Sequence, residues 1–97
     1  MPKIDNEIKH LIIRVFGKVQ GVYFRKSTME RAIELKVNGL VMNEMDGSVT
    51  IVAEGTKGQL NDLLLFCKEG PMGAKVTNIY LEEGLVTGFT DFKILPS

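Results

Sequence analysis

The sequence contains few of the residues on which metal centres and many active sites depend. Its 97 residues include one cysteine, Cys67, one histidine, His10, and no tryptophan. A single cysteine cannot form an intramolecular disulfide, which is typical of proteins from a reducing compartment. One cysteine and one histidine are also too few ligands for a metal-carrying domain. We therefore expect no metal site.

Long hydrophobic runs and an excess of one charge are also absent. The first apolar run, LIIRVF at 11–16, is too short for a membrane-spanning helix or for the apolar part of a signal peptide. The 12 basic and 12 acidic residues give a formal net charge of zero, so no global field attracts nucleic acid or an anionic membrane. We expect a cytoplasmic protein with no nucleic-acid or membrane partner, in which any preference for an anion is local.

The length and the apolar patterning predict one small α+β domain. A hydrophobic fraction of 44% is enough for a single two-layer core, and we expect one domain over residues 1–97 and, by default, a monomer. Apolar spacing predicts a strand over 9–16, a helix over 24–35, two strands around Asp46-Gly47, a helix between Thr56 and Gly70, a strand over 76–83 and a terminal strand within 89–95. This order is that of the ferredoxin-like, split βαβ fold: βαββαβ, one antiparallel sheet with two helices on one face, here with an extra C-terminal edge strand.

Short local signals predict where these elements begin and end. Asn38-Gly39 predicts the end of the first helix, and Asp46-Gly47 predicts a type I′ hairpin turn. Thr56 and Gln59 have the spacing of a capping box at the start of the second helix. The buried stripe of that helix is expected to contain Leu60, Leu63, Leu64 and Cys67, which makes the thiol an inert core group. Four methionines are expected to fill gaps in the core: Met29, Met42, Met45 and Met72.

The stretch GKVQGVYFRKS, residues 17–27, places positive charge at the start of the first helix. Free backbone N–H groups make a helix start partially positive, so acidic residues are favoured there. This helix instead begins with Arg25 and Lys26, and the first acidic residue within it is Glu30. A bound anion would supply the missing negative charge.

The same stretch has the form of a phosphate-binding turn. A strand that leads through a tight turn into a helix can direct successive backbone N–H groups toward one anion. Gly17 and Gly21 allow the tight path, and the guanidinium of Arg25 matches two phosphate oxygens. Such glycines also occur in loops that bind nothing, and the spacing is not that of a P-loop or a dinucleotide-binding motif. The residue types alone therefore leave a phosphate site and an ordinary loop both open.

Two longer segments carry a more specific signal. VFGKVQGVYFR at residues 15–25 and GLVMNEMDGSVTIVAEG at residues 39–55 closely resemble the two signature segments of the acylphosphatase family. The resemblance continues over almost the whole chain after the first few residues. It implies a small, metal-free enzyme of ferredoxin-like fold that needs no cofactor. The implied substrate is a small-molecule acyl phosphate, which is hydrolysed to a carboxylate and inorganic phosphate.

The resemblance also implies roles for individual residues. By match to the first segment, Arg25 is the catalytic arginine that binds the phosphate, and by match to the second, Asn43 holds the attacking water. The implied phosphate-binding residues, which contribute loop amides and the arginine, are Gln20, Gly21, Val22, Tyr23, Phe24 and Arg25. Leu40 departs from the family pattern, which usually has an aromatic residue there. We expect this change to affect local packing or substrate fit before it affects catalysis.

Two alternatives to an acylphosphatase are considered. A non-catalytic phosphate-binding or accessory module of the same family would keep the pocket without the chemistry, but the presence of both Arg25 and Asn43 favours the enzyme. An RNA-binding domain is disfavoured because the predicted third strand, SVTIVAE, has no aromatic residue on which a base could stack.

No motif presents a histidine or a carboxylate pair for acid–base catalysis. An acyl phosphate lessens that need, since its carboxylate leaving group, with a pKa of about 4, departs unprotonated.

Overall fold

The computed structural model describes residues 6–96 and contains the expected elements in the expected order. The elements are β1 (Lys9–Lys18), α1 (Phe24–Leu35), β2 (Asn38–Asn43), β3 (Val49–Gly55), α2 (Lys57–Glu69), β4 (Lys75–Gly84) and β5 (Phe92–Ile94). The ferredoxin-like α+β fold predicted from the apolar spacing is confirmed. The terminal strand is shorter than expected, because only 92–94 of the predicted segment pair with a neighbour.

The five strands form one sheet in the order β4-β1-β3-β2-β5. The first four strands pair antiparallel with their neighbours, but β5 pairs parallel with β2. The expectation of a wholly antiparallel sheet is therefore wrong at this edge. The segment 85–91 crosses from one edge of the sheet to the other, so that β5 lies beside a strand that runs in its own direction. This crossing brings the C-terminal residues close to the end of β2.

The core lies between one face of the sheet and the two helices. Ile13, Val15 and Ile51 from the sheet and Ala32 and Leu63 from the helices are fully buried within it. Cys67 is also fully buried, and burial raises the pKa of its thiol to about 12. The thiol is therefore protonated at neutral pH, which agrees with the expected inert core role. Within residues 6–96, no helix combines the length and the apolar character needed to cross a membrane.

The second helix begins and packs as its sequence predicts. The N–H of Gln59 donates to the Thr56 hydroxyl at 3.3 Å, and the N–H of Thr56 donates to the Gln59 side-chain oxygen at 2.9 Å. These two bonds form the capping box. Leu60, Leu63 and Cys67 are buried, while Leu64 is half-buried against the core.

Two local turn predictions are wrong. Helix α1 ends at Leu35, its cap residue Lys36 adopts a left-handed conformation (φ 61°), and Asn38-Gly39 already belongs to β2. In the hairpin, Gly47 has a positive φ but Asp46 does not, so the turn is not type I′, which needs both. The N–H of Gly47 donates to the carbonyl of Glu44, and the N–H of Glu44 donates to the carbonyl of Ser48, so the loop between the strands comprises residues 45–47 and is one residue longer than a type I′ loop. Two of the methionines expected in the core, Met45 and Met72, are fully exposed in turns.

Candidate active site

The loop between β1 and α1 is shaped by two glycines with positive φ angles. Gly17 (φ 123°) lies at a bulge, where β4 comes so close that an added Cβ would stand 2.1 Å from the carbonyl oxygen of Lys75. Gly21 (φ 74°) turns the chain toward the helix start. Both positions favour glycine because a residue with a side chain is strained at these positive φ angles. The tight path expected for a phosphate-binding turn is therefore present.

The start of α1 has no compensation from the protein itself. Its cap residue, Tyr23, is left-handed (φ 59°) and makes no capping hydrogen bond with its side chain, and the first turn contains no acidic residue. The first N–H groups of a helix have no partner within the helix, so they are available to a ligand at this end. The charge conflict predicted from Arg25 and Lys26 therefore persists in the folded chain.

This helix start opens into a cleft of about 370 Å³. The cleft contains Arg25 from the first turn of α1 and Asn43 from the end of β2. Its lining residues are Val19, Gly21, Tyr23, Phe24, Arg25, Lys26, Asn43 and Ile94. Arg25 and Asn43 thus face the same cleft, although they lie 18 positions apart and belong to different signature segments.

Arg25 is held by the C-terminal end of the chain. Its side chain is half-buried, and its Nη1 atom donates a hydrogen bond to the carbonyl oxygen of Leu95 at 2.8 Å. A guanidinium carries five N–H donors in a planar fork, so one such bond fixes the group and leaves donors for an anion.

Gln20 acts through its side chain, although the sequence predicted only a backbone role for it. Its Nε2 atom donates to the carbonyl oxygens of Glu44 at 2.8 Å and Ser48 at 2.9 Å, both in the turn that follows Asn43. The loop that leads to Arg25 and the strand end that carries Asn43 are therefore joined directly.

The other predicted loop residues divide into cleft-lining and core-packing groups. Gly21, Tyr23 and Phe24 line the cleft, whereas Gln20 and Val22 do not. Val22 packs against the core, and the Phe24 ring is buried there with its centroid 6.4 Å from that of Phe66. The contacts of Val22 and Phe24 anchor the loop, which leaves the backbone amides as the groups that these two residues offer to a ligand.

Three lining residues were not predicted: Val19, Lys26 and Ile94. Lys26 was part of the unusual positive charge at the helix start, so the sequence contained a signal for it. Ile94 had no such signal, because it reaches the cleft only through the parallel pairing of β5 with β2. Leu40 is half-buried on β2 and does not line the cleft. The aliphatic residue at this usually aromatic position therefore affects the packing of the sheet.

The histidine and the acidic residues that the structure describes lie outside the cleft. The Nδ1 atom of His10 donates a hydrogen bond to Oε2 of Glu54 across β1 and β3, at 2.7 Å, outside the cleft. Among residues 6–96, no group of three or more histidine, cysteine, aspartate or glutamate side chains is arranged to hold a metal ion.

A model of the acylphosphatase family matches residues 11–94, which include both signature segments and every cleft-lining residue. The chain belongs to the acylphosphatase family. The family and the enzyme class expected from the sequence, hydrolases that act on acyl phosphates, are therefore confirmed.

Similar proteins match the chain along nearly its whole length. The acylphosphatase of Methylococcus capsulatus is 43% identical over 89 residues, which make up 91% of this chain and 97% of that protein. The structure of an acylphosphatase from Coxiella burnetii matches with a TM-score of 0.88 and 38% identity, over 93% of this chain and 94% of that one. A structure of full-length HypF in the phosphate- and nucleotide-bound form matches 94% of this chain with a TM-score of 0.85 and 28% identity, but the match is only 12% of HypF.

Proposed function

We propose that the chain hydrolyses acyl phosphates by attack of a water held by Asn43 on a phosphate held by Arg25 and the loop amides. The observation that carries this proposal is the presence of Arg25 and Asn43 in one cleft at an uncapped helix start. The substrate phosphate supplies the negative charge that this helix start lacks. The proposed phosphate site comprises the amides of residues 20–24 and the guanidinium of Arg25.

The proposed binding mode uses donors that are in place before the substrate arrives. Arg25 is fixed by Leu95, and the loop is fixed to the β2–β3 turn by Gln20. Donors held in position stabilise the charge that develops on the transferring phosphoryl group without having to reorganise during the reaction. The rate enhancement then comes chiefly from positioning and electrostatics.

Asn43 orients the attacking water in this proposal. An amide side chain both donates and accepts hydrogen bonds, so it can fix a water in line with the bond to be broken. The water oxygen forms a new bond to phosphorus, and the phosphorus–oxygen bond to the acyl group breaks. A phosphate oxygen of the substrate takes a proton from the water, and the carboxylate leaves with the bonding electron pair.

The leaving group explains how such a site works without a histidine or a carboxylate in the cleft. Among residues 6–96, none of those that line the cleft is histidine, aspartate or glutamate. A carboxylate with a pKa of about 4 needs no proton to leave at neutral pH, so no general acid is required. We further propose that the reaction needs no metal and that the chain acts as a monomer in the cytoplasm, with no nucleic-acid partner.

One observation favours a second function. The match to 12% of HypF shows that this fold also occurs as part of a much longer protein, so a phosphate-binding module without turnover is the alternative. Such a module would bind phosphate through Arg25 but would hydrolyse nothing.

The decisive experiment is hydrolysis of benzoyl phosphate at neutral pH in excess EDTA by the wild type and Asn43→Ala. We expect turnover that the chelator does not reduce, with a loss of roughly 10²–10³-fold in kcat for Asn43→Ala. Asn78→Ala, which removes an exposed asparagine on β4, is the matched control and should keep wild-type rates.

Titration calorimetry with inorganic phosphate separates the roles of the two residues. Asn43→Ala should bind phosphate as the wild type does, whereas Arg25→Ala should lose both phosphate binding and turnover. Equal loss of phosphate binding in both variants would contradict this division. A wild type that binds phosphate but hydrolyses nothing would establish the binding module instead.

A further inference from the structure

We propose that the ring of Tyr23 contacts the acyl group of the substrate and gives the chain a preference for acyl phosphates with flat, apolar acyl groups. This inference rests on the proposed function, because it assigns the part of the cleft that binds the leaving group. Three properties of Tyr23 support it: its backbone conformation, its exposure and its place in the cleft.

Tyr23 occupies a conformation that suits glycine or asparagine better than an aromatic residue. Its φ and ψ angles are 59° and 26°, in the left-handed region. Lys36 is the only other residue besides glycine with a positive φ among residues 6–96, and it ends a helix, where this conformation is common. Tyr23 begins a helix, where the cap residue is usually extended. Strained backbone of this kind is concentrated at functional sites.

The Tyr23 side chain contributes little to the fold that would account for its presence. It is 80% exposed, and its hydroxyl makes no hydrogen bond to the part of the chain that the structure describes. Its carbonyl accepts a bond from the N–H of Ser27, but any residue at this position could make that contact. The aromatic ring therefore has no packing role in the described fold.

The ring is instead the main exposed apolar surface of the cleft. Val19 and Phe24 also line the cleft, but each is only 1% exposed, and Ile94 is half-buried. Tyr23 also lies two residues before Arg25, so it borders the proposed phosphate position. An aromatic face next to a phosphate site can bind a flat apolar group by stacking and by covering it from water.

The geometry of the reaction directs the acyl group toward the side of the cleft where Tyr23 lies. In an in-line displacement, the attacking water and the leaving oxygen lie on opposite sides of phosphorus. Asn43, at the end of β2, is proposed to hold the water, so the acyl group extends away from that strand end. Tyr23 directly precedes α1 and lines the cleft from a different element than Asn43.

The test compares benzoyl phosphate, which has a flat aromatic acyl group, with acetyl phosphate, which has only a methyl group. In Tyr23→Gly we expect the ratio of kcat/KM for benzoyl phosphate to kcat/KM for acetyl phosphate to fall about tenfold, mainly through KM for benzoyl phosphate, because any effect of the glycine on the phosphate-binding loop acts on both substrates alike. Tyr23→Phe keeps the ring and should retain the wild-type preference. Inhibition by inorganic phosphate, measured on all three proteins, separates a change in the phosphate-binding loop from the loss of the ring.

Each outcome bears on the inference. Glycine and asparagine tolerate the left-handed conformation, so Tyr23→Asn provides a second ring-free variant if Tyr23→Gly does not fold. An unchanged ratio between the two substrates, or an equal loss for both, would overturn the role of Tyr23 while leaving acyl phosphate hydrolysis intact. A wild type that hydrolyses neither substrate would remove the proposed function, and this inference would fall with it.

Discussion

The guanidinium of Arg25 donates a hydrogen bond from Nη1 to the carbonyl oxygen of Leu95, at 2.8 Å. Leu95 is itself fixed, because its N–H donates to the carbonyl of Val41 on β2 at 2.9 Å. The chain thus connects Arg25, in the first turn of α1, to β2, the strand that ends at Asn43. Arg25 is therefore held at the cleft before a ligand binds, which is the condition for electrostatic preorganisation.

Removal of residues 95–97 should uncouple Arg25 from the sheet. We expect kcat/KM for benzoyl phosphate to fall by about 10–100-fold and phosphate affinity to fall with it, because a misplaced catalytic group loses much of its effect. Removal of Ser97 alone keeps the Leu95 carbonyl and is the control. Wild-type phosphate affinity in the longer truncation, measured by calorimetry on a protein that still unfolds cooperatively, would show that the Leu95 contact does not position Arg25.

The contact of Gln20 with the β2–β3 turn makes a separate prediction about stability. In Gln20→Ala, the carbonyls of Glu44 and Ser48 each lose one donor, and we expect the free energy of unfolding to fall by about 1–3 kcal/mol. Gln20→Glu should be less stable still at neutral pH, since a carboxylate would then face two carbonyl oxygens. Urea unfolding of the three proteins checks this order. Equal stability of the wild type and Gln20→Ala would show that the two bonds contribute nothing net.

The fold could be predicted because its signals are local and agree with one another. The leucine spacing of α2 and the reciprocal bonds of Thr56 and Gln59 depend on residues within one or two turns of helix. The order of the elements then restricts the topology to few arrangements. The two turn predictions were wrong because each local signal is compatible with more than one backbone conformation. Lys36 supplies the left-handed cap, so the helix ends before Asn38-Gly39, and several hairpin loops are compatible with Asp46-Gly47.

The candidate site could be predicted only in part. Arg25 and Asn43 were identified through a resemblance, and a common cleft for them follows once β2 is placed near the start of α1. Ile94 and the Leu95 carbonyl could not be anticipated, since they depend on the parallel pairing of a three-residue strand. The side-chain bonds of Gln20 depend equally on the final path of the β2–β3 turn. Long-range contacts of this kind leave no periodic signal in a single sequence.

A buried carboxylate outside the cleft gives the structure a specific pH dependence. Glu54 is 4% exposed, and burial by itself would raise its pKa, but a hydrogen bond with His10 and bonds from three backbone N–H groups lower the pKa to about 2. The three N–H donors belong to Thr87, Gly88 and Phe89. Glu54 therefore holds the segment that crosses from β4 to β5.

The pH dependence of unfolding should show this carboxylate directly. Because the folded pKa of Glu54 is lowered from 4.5 to about 2, its contribution to stability is present above pH 4.5 and is lost as the pH falls toward 2. We expect Glu54→Gln to lose about 1.5–3 kcal/mol at neutral pH and to show a flatter loss of stability below pH 4.5. Glu82→Gln, on the exposed strand β4, is the control. If the free energy of unfolding fell with pH in parallel for the wild type and Glu54→Gln, Glu54 would not be the source of this pH dependence.

The composition of the cleft predicts a strong dependence on the leaving group. Benzoyl phosphate and phenyl phosphate both carry an aromatic ring and a phosphate, but the first releases a carboxylate with a pKa of about 4 and the second a phenolate with a pKa of about 10. A phenolate needs a proton from a general acid, and the lining residues include no histidine, aspartate or glutamate. We expect phenyl phosphate to react at least about 10²–10⁴-fold more slowly in kcat/KM while it still competes for the phosphate site. Comparable rates for the two substrates in excess EDTA would show that the leaving group is protonated by an acid, and the positioning mechanism would then be wrong.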